Sequence, residues 1–270
     1  MICMSKRKEF DKEKIVDLYL KQKKSIDYCS RILNTTRITL SKWMRVNGIP
    51  IESNRKYKNP ILSFTKKEIE ILNGCLLGDG HLTKPIGNSC QFTYCSSEYE
   101  HVYFVYSYLK QFMVNECVNG PIKYSYIDKR TGKTYTKYSI RTQSNISFFN
   151  LRNQWYPRGT KIVPTTVEFS PITLLFWYIG DGGLITGKNY QYIKLATNAF
   201  SHDDINYIKV SLQEFNPKVY GNKQKVIYIP RNKIKKFLDV IGKCPISCYE
   251  RKWNYKDYKY ERYTGRQNKI

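Results

Sequence analysis

Two aspartates, Asp79 and Asp181, stand in matching surroundings. Asp79 closes the run Leu72-Asn73-Gly74-Cys75-Leu76-Leu77-Gly78-Asp79-Gly80, and Asp181 closes Leu174-Leu175-Phe176-Trp177-Tyr178-Ile179-Gly180-Asp181-Gly182. Each run is largely apolar and ends in Gly-Asp-Gly. A repeat of this kind implies two similar copies, each delivering one carboxylate to a shared place. The apolar residues predict a helix buried on most sides, and the glycine after each aspartate predicts its stop. Gly78 and Gly180 lack side chains, so two such helices could approach closely at that end and set Asp79 beside Asp181. Carboxylates that close repel each other, and helix C-termini add partial negative charge. Divalent cations between them would relieve both. Asp79 and Asp181, with Gly78 and Gly180 next to them, are the candidate metal site, and the two acids are the first candidate catalytic residues. The plainer reading is a pair of helix-terminal acids that cap or meet solvent. It is disfavoured because acids at helix C-termini are electrostatically unfavourable and here occur twice.

The elements that must position these acids sit in a chain of 270 residues, 41% hydrophobic, which is ample for a buried core and too long for one minimal domain. Its 46 Lys and Arg against 22 Asp and Glu give a formal charge of +24. A surplus spread along a folded chain needs a polyanion, nucleic acid first and an anionic membrane second. No run of about 18 apolar residues is present, and the N-terminus has no signal-peptide apolar region. A soluble, intracellular, non-secreted protein without a membrane partner is expected. The eight cysteines have no framework spacing and read as free thiols. The pairs Cys90/Cys95 and Cys244/Cys248 lack the tight spacing of a zinc ribbon or finger.

Residues 1–50 predict three short helices. Ile15, Val16, Leu18 and Tyr19 recur at helical spacing within 11–24, and Ser25 offers an N-cap to a helix carrying Tyr28 and Ile32 on one face, with the small Ser30 expected at the helix contact. Asn34 suits a turn with positive φ, and Thr36 can cap a third helix holding Leu40 and Trp43. The pattern is that of a helix-turn-helix, with Arg37, Thr39, Lys42 and Arg45 on the exposed face of the third helix as candidate DNA contacts; a three-helix cap with a solvated basic face is the alternative. Residues 51–60 are polar, basic and aperiodic, and read as a linker. In 61–160, Thr65 and Glu68 form a predicted capping box for the first acid-bearing helix. A hairpin follows, then a helix over 98–114, strands over 122–127 and 134–141 joined near Gly132, and a helix over 146–155. Within these strands Ile122, Tyr124 and Tyr126 alternate with Lys123 and Ser125, and Tyr138 and Ile140 alternate with Lys137, Ser139 and Arg141. One apolar and one basic sheet face are expected. Residues 161–254 repeat the order, with 102 positions between the acids. The Asp203-Asp204 pair is expected to cap the helix that follows it. Residues 255–270 read as a basic tail.

The two nine-residue runs, at this separation and each followed by hairpin, helix, hairpin and helix on a basic chain, resemble the motifs of the LAGLIDADG homing endonucleases of the single-chain, two-motif type. The resemblance covers about residues 61–253 and leaves 1–50 as an appended module. One departure is Phe176, where the first copy has Gly74. The resemblance implies an α+β fold of two pseudo-twofold-related αββαββα half-domains forming a DNA-binding saddle. It implies a monomer that cuts both strands of a long asymmetric site in double-stranded DNA across the minor groove, with Mg²⁺ or Mn²⁺ held at Asp79 and Asp181. It also implies one basic residue per copy near the acids: Lys161 for the first, and Lys252 (or its neighbour Arg251) for the second. Lysines so placed would stabilise charge developing on phosphate or orient the attacking water.

The polar strand residues Lys123, Ser125, Lys137, Ser139, Arg141, Tyr192 and Lys194 would then lie in the major groove, which admits two-stranded ribbons. An ordinary solvated sheet face is the alternative reading. A second functional class is an RNA-binding maturase that uses the same basic face on its intron RNA, and a third is a non-cleaving helix-turn-helix regulator. Two retained acids favour the endonuclease, since a pure binder gains nothing from carboxylates facing phosphates. Location follows the substrate: a compartment that contains DNA, in a bacterial or phage host or in an organelle.

Overall fold

The computed structural model describes residues 9–51, 61–188, 190–221 and 225–256. The chain divides into two compact units, Met1–Pro60 and Ile61–Ile270. The expected linker beyond Ile51 and the expected tail beyond residue 256 lie outside the described residues.

In the smaller unit, the Asp11 carboxylate accepts from the Lys14 N–H and starts α1 (Lys12–Ile15), which continues as a wider π-helical stretch, Val16–Lys21. The Gln22 amide closes this stretch on both the carbonyl and the carboxylate of Asp17. Ser25 caps α2 (Ile26–Ile32) and Thr36 caps α3 (Arg37–Val46), each hydroxyl accepting from the N–H three residues on. Asn34 turns the chain between them at φ 47°. Ser30, the small residue expected at the helix contact, is buried with Cys29, while Tyr28 and Ile32 on the other face are 39% and 50% exposed. Small residues let α2 lie close, and the Ser30 hydroxyl is satisfied by the Asp27 carbonyl at 3.0 Å. Ile15, Tyr19, Leu40, Met44 and Ile49 complete this core.

The larger unit holds two copies of one αββαββα plan. The first is α4 (Lys66–Leu77), β1 (His81–Leu82), β2 (Phe92–Ser96), α5 (Tyr99–Leu109), β3 (Ile122–Ile127), β4 (Thr134–Arg141) and α6 (Ile146–Trp155). The second is α7 (Pro171–Asp181), β5 (Gly182–Thr186), β6 (Gln191–Leu195), α8 (His202–Ser211), β7 (Lys218–Tyr220), β8 (Val226–Ile229) and α9 (Arg231–Ile241). Each copy forms a four-stranded antiparallel sheet of identical topology, β1-β2-β4-β3 and β5-β6-β8-β7. The starts are chemically fixed. Thr65 and Glu68 make the capping box of α4, while Ser170 caps α7 with Pro171 in its first turn. The helix expected over 98–114 is α-helical only to Leu109 and tightens to a 3₁₀ turn through Phe112. Ser201, not the Asp203-Asp204 pair, caps α8; Asp204 closes the box from inside the helix.

α4 and α7 pack along each other and form the seam of the unit. Here Phe176, the departure from the repeat, meets its complement: a Cβ on Gly74 would lie 2.7 Å from the Phe176 Cβ and 2.5 Å from the Thr173 carbonyl oxygen. Phe176 then stacks on Phe104 at 5.2 Å. The Thr173 hydroxyl donates to the Glu70 carbonyl at 3.2 Å, tying α7 to α4, and buried Trp155 donates to the Asn73 side chain at 3.2 Å.

The sheet register overturns one expectation. Directly opposed residues of antiparallel strands share a face. Lys123 opposes Tyr138 and Ser125 opposes Thr136, whereas Lys137 opposes Tyr124 and Ser139 opposes Ile122. Lys123 and Ser125 therefore share the face of buried Ile140, and Lys137, Ser139 and Arg141 lie on the opposite, open face with Tyr124 and Tyr126. Alternation within a strand shows which residues lie together, but the turn decides which side meets which, and a one-residue shift exchanges the faces. The six residues 128–133, with Gly132 at φ 67°, set that register. Both faces near the hairpin tip are open to solvent.

The seam gives a test. Gly74→Ala is predicted to destabilise the protein by about 1–3 kcal/mol, since the added methyl meets backbone. Gly183→Ala, whose Cβ would touch only Ile185 Cδ1 at 4.0 Å, should change the melting temperature little. Equal melting temperatures for the two variants would contradict this packing.

Candidate active site

The seam helices end together. At the first end, the Gly78 and Gly80 N–H groups both return to the Cys75 carbonyl, at 3.1 and 2.7 Å, and a Cβ on Gly80 would come within 2.6 Å of that oxygen. At the second, a Cβ on Gly182 would lie 2.6 Å from the Tyr178 carbonyl oxygen. The glycine after each acid is thus required by the tightness of the exit. The glycines before the acids lie where the two ends meet. A Cβ on Gly78 would stand 3.5 to 3.7 Å from the N, Cβ and Cγ of Asp181, and one on Gly180 would stand 3.7 Å from the N and Oδ2 of Asp79. Each motif's glycine rests against the other motif's aspartate.

The electrostatics follow from this crossing. Partial loss of water raises the Asp79 carboxyl above the usual carboxylate range, opposed by Lys252, Lys137 and Lys161. Asp181 is pushed up to about 6, by burial first and by Asp79 second. Lys161 and Lys252 flank the two acids in matching fashion. The Lys161 ammonium lies 3.4 Å from the carbonyls of both Gly78 and Gly80, at the end of α4. The buried Lys252 ammonium donates to the Tyr178 and Ile179 carbonyls of α7 at 3.2 and 2.5 Å. Each lysine satisfies carbonyls that a helix end leaves open. Burial pushes both lysines down to about 8, and both acids oppose it. Arg251 is turned away, its guanidinium on the Cys248 carbonyl at 2.9 Å.

The other candidates distribute unevenly. Lys137 is near enough to act on Asp79, while Lys123 and Ser125 are on the far face of their sheet. Arg141 and Ser139 share the open face with Lys137, Arg141 in an ion pair with Glu116 at 2.5 Å. Tyr192 and Lys194 share the open face of the second sheet, together with Lys218 and Tyr228, which oppose one another across β7 and β8. Those two went unremarked in the sequence, although Tyr228 between Ile227 and Ile229 carries the same alternation. In the smaller unit, Arg37, Thr39, Lys42 and Arg45 are all exposed on α3, with Arg37 also pairing Asp27 at 3.2 Å. His81 sits on β1 with its ring edge-on to Tyr156. Sequence reading missed the floor of the site: Tyr94 is buried with its hydroxyl 3.3 Å from where a Gly180 Cβ would be, and it hydrogen-bonds His101.

Compared with known proteins, residues 69–237 match the model of the LAGLIDADG DNA endonuclease family. The chain belongs to this family. Among its relatives, the cytochrome b mRNA maturase bI2 of Saccharomyces cerevisiae is 27% identical over 224 residues, 76% of this chain and 51% of the maturase. The DNA endonuclease I-ChuI of Chlamydomonas applanata is 26% identical over 151 residues, 52% of this chain and 68% of that protein. The chain spans about half the length of curated relatives it matches. In solved structures, the homing endonuclease I-WcaI bound to its DNA recognition sequence shares the fold, with a TM-score of 0.64 at 17% identity over 78% of this chain and 97% of that one.

The LAGLIDADG family implies a divalent metal at the two acids, and the residues present fit one. Among the described residues no three His, Cys, Asp or Glu side chains converge, and Cys90, Cys95, Cys244 and Cys248 are free thiols. What converges is a pair of carboxylates beside backbone carbonyls, an all-oxygen set suited to Mg²⁺ or Mn²⁺ and not to zinc. Burial raises both carboxyls, and Asp79 adds repulsion at Asp181 that such an ion would relieve. The Gly78 carbonyl faces Lys161.

The pair has a consequence without metal. A carboxyl raised in the folded state holds its proton at a pH where the unfolded chain has lost it, so it lowers stability as pH rises from about 4 to about 6. In chelator, Asp181→Asn should therefore be more stable than the parent, with a gain that grows over that window and levels off above it. Urea denaturation at pH 4.5 and 7 measures it; a gain of equal size at both pH values would contradict a raised Asp181 carboxyl.

Proposed function

We propose that this protein is a site-specific endonuclease that hydrolyses both strands of a long asymmetric site in double-stranded DNA, as a monomer in a DNA-containing compartment. The observation that carries the reading is the crossed pair of acids at the seam, one from each copy, with a lysine on each helix end. Asp79 and Asp181 would hold Mg²⁺ or Mn²⁺, which supplies charge neutralisation at the phosphate and a water activated near neutral pH. Lys161 and Lys252 remain largely protonated at pH 7 and aim their ammonium groups where charge grows on the phosphate. The open sheet faces, with Lys137, Ser139 and Arg141 on one and Tyr192, Lys194, Lys218 and Tyr228 on the other, are the surfaces offered to the major groove. Lys123 and Ser125, on the opposite face, fall to phosphate contact at the hairpin tip.

The experiment is cleavage selection from a randomised DNA library with Mg²⁺, followed by assay of the selected site. Asp79→Asn and Asp181→Asn should each abolish cutting while leaving DNA affinity intact, and Lys161→Met or Lys252→Met should slow it by about 10²–10³-fold. Unimpaired cutting by both aspartate variants would falsify the reading.

The yeast relative's name favours a second reading, a maturase that binds its intron RNA on the same basic faces. It predicts splicing assistance that survives both aspartate substitutions. The small unit adds grip in either case, its α3 face being a helix-turn-helix recognition surface. Deleting residues 1–60 is predicted to weaken DNA binding and flatten its salt dependence while cutting chemistry persists. An unchanged footprint and salt slope would remove the small unit from DNA contact.

A further inference from the structure

Each lysine reaches carbonyls of the copy it follows, but the segment that carries it is also fastened by the opposite copy. Lys161 comes after α6 of the first copy, yet its segment is fastened by α8 of the second. The Val163 N–H donates to the Asp204 carboxylate at 2.8 Å, and the Tyr207 hydroxyl donates to the Thr165 and Val167 carbonyls at 2.8 and 3.0 Å. Asp204 is buried, and its second oxygen is taken by the Ser201 N–H and hydroxyl at 2.9 and 2.6 Å. Lys252 comes after α9 of the second copy, and its segment is fastened by α5 of the first. The Glu100 carboxylate accepts from the Ser247 N–H, the Ser247 hydroxyl and the Cys248 N–H at 2.7, 2.8 and 3.1 Å. His101, fully buried, bridges the Tyr94 and Tyr249 hydroxyls at 2.8 and 3.0 Å. The Lys252 ammonium lies 4.2 Å from the centre of the Tyr249 ring. Burial beside Lys252 pushes the His101 imidazole down to about 3, so the bridge is neutral, one ring nitrogen donating and the other accepting.

The correspondence extends to position. Asp204 is the third residue of α8, and His101 is the third residue of α5. The same place in the repeated plan carries different chemistry for one task. Glu100 and Asp204 are spent on backbone groups that a loop would otherwise give to water, a costly use of a carboxylate unless placement of that loop matters.

We infer that the two lysines are cross-positioned: Asp204 and Tyr207 of the second copy set Lys161 on the Gly78 and Gly80 carbonyls at the end of α4, and Glu100 and His101 of the first copy, the latter through Tyr249, set Lys252 on the Tyr178 and Ile179 carbonyls of α7. These are positioning residues; they touch neither the acids nor a substrate. The inference rests on the endonuclease reading for its catalytic consequence, and its structural part stands without it. Because each brace serves one lysine, and each lysine one helix end, loss of a brace should harm one strand cut more than the other. Loss of the opposite brace should harm the opposite strand.

The test uses the full chain and a duplex containing the selected site, labelled separately on each strand, under single turnover. Tyr207→Phe and Asp204→Ala form one set, and Tyr249→Phe and Glu100→Ala the other; the phenylalanine variants remove a hydroxyl and leave the ring, which keeps the test open if an alanine variant folds poorly. The expected result is about tenfold slowing of one strand by the first set and of the other strand by the second, the rate equivalent of one lost anchoring hydrogen bond, with DNA affinity within about twofold of the parent. A general loss of stability would slow both strands alike and cannot produce opposite biases. Amide hydrogen exchange on the metal-free protein is read in parallel: Asp204→Ala should quicken exchange in 161–167 and at the start of α8 but not in 244–253, and Glu100→Ala in 244–253 but not in 161–167. If the parent does not cut, the endonuclease reading fails and exchange alone decides the bracing. Equal slowing of the two strands by both sets, or exchange unchanged in both segments, overturns it.

Discussion

The close approach of two helix ends that each carry a carboxylate is the constraint on which the remainder of the larger unit depends. Left to themselves, the acids and the open carbonyls beside them would drive the helices apart. Packing along the seam opposes this, with Gly74 receiving Phe176 and Thr173 tied to the Glu70 carbonyl. Two lysines then enter at the ends, each on carbonyls of a different helix. The result is a compact cluster of two negative and two positive groups in which every member is displaced from its ordinary titration. Displacement of this kind marks a site kept under electrostatic load, as expected where charge is to be gained from a metal and a phosphate.

Duplication shapes how that cluster is held. The two sheets have the same strand order, and the two acid-bearing helices meet about a local pseudo-twofold relation. Yet the copies are not interchangeable in detail. Gly74 faces Phe176, Tyr94 lies beneath Gly180, and a neutral histidine in one copy stands where a carboxylate stands in the other. Asymmetry of this sort lets one chain present two different surfaces to an asymmetric partner, while the pair of acids keeps its symmetry where the chemistry requires it.

Much of this was legible in the sequence because the signals were local. The capping box of Thr65 and Glu68, the hairpin strands Ile122–Ile127 and Thr134–Arg141, and α6 over Ile146–Trp155 follow from caps, alternation and Pro157. The acid pair was legible because it is a repeat. What escaped depends on contacts between distant segments. The face assigned to Lys123 and Ser125 was reversed because register belongs to the pair of strands and not to either one. The roles of Glu100, His101 and Asp204 were out of reach, since each acts on a segment of the opposite copy that no spacing rule connects to it.

The central claim is that one carboxylate from each copy shares a divalent ion at the seam. A structure of the protein on its target duplex with Mn²⁺, read by anomalous scattering, tests it most directly. The account predicts a Mn²⁺ peak in contact with carboxylate oxygens of both Asp79 and Asp181, at about 2.0–2.2 Å, with the Lys161 and Lys252 ammonium groups turned toward the two scissile phosphates. Ions bound elsewhere on the molecule, or aspartates that separate when DNA is bound, would contradict it.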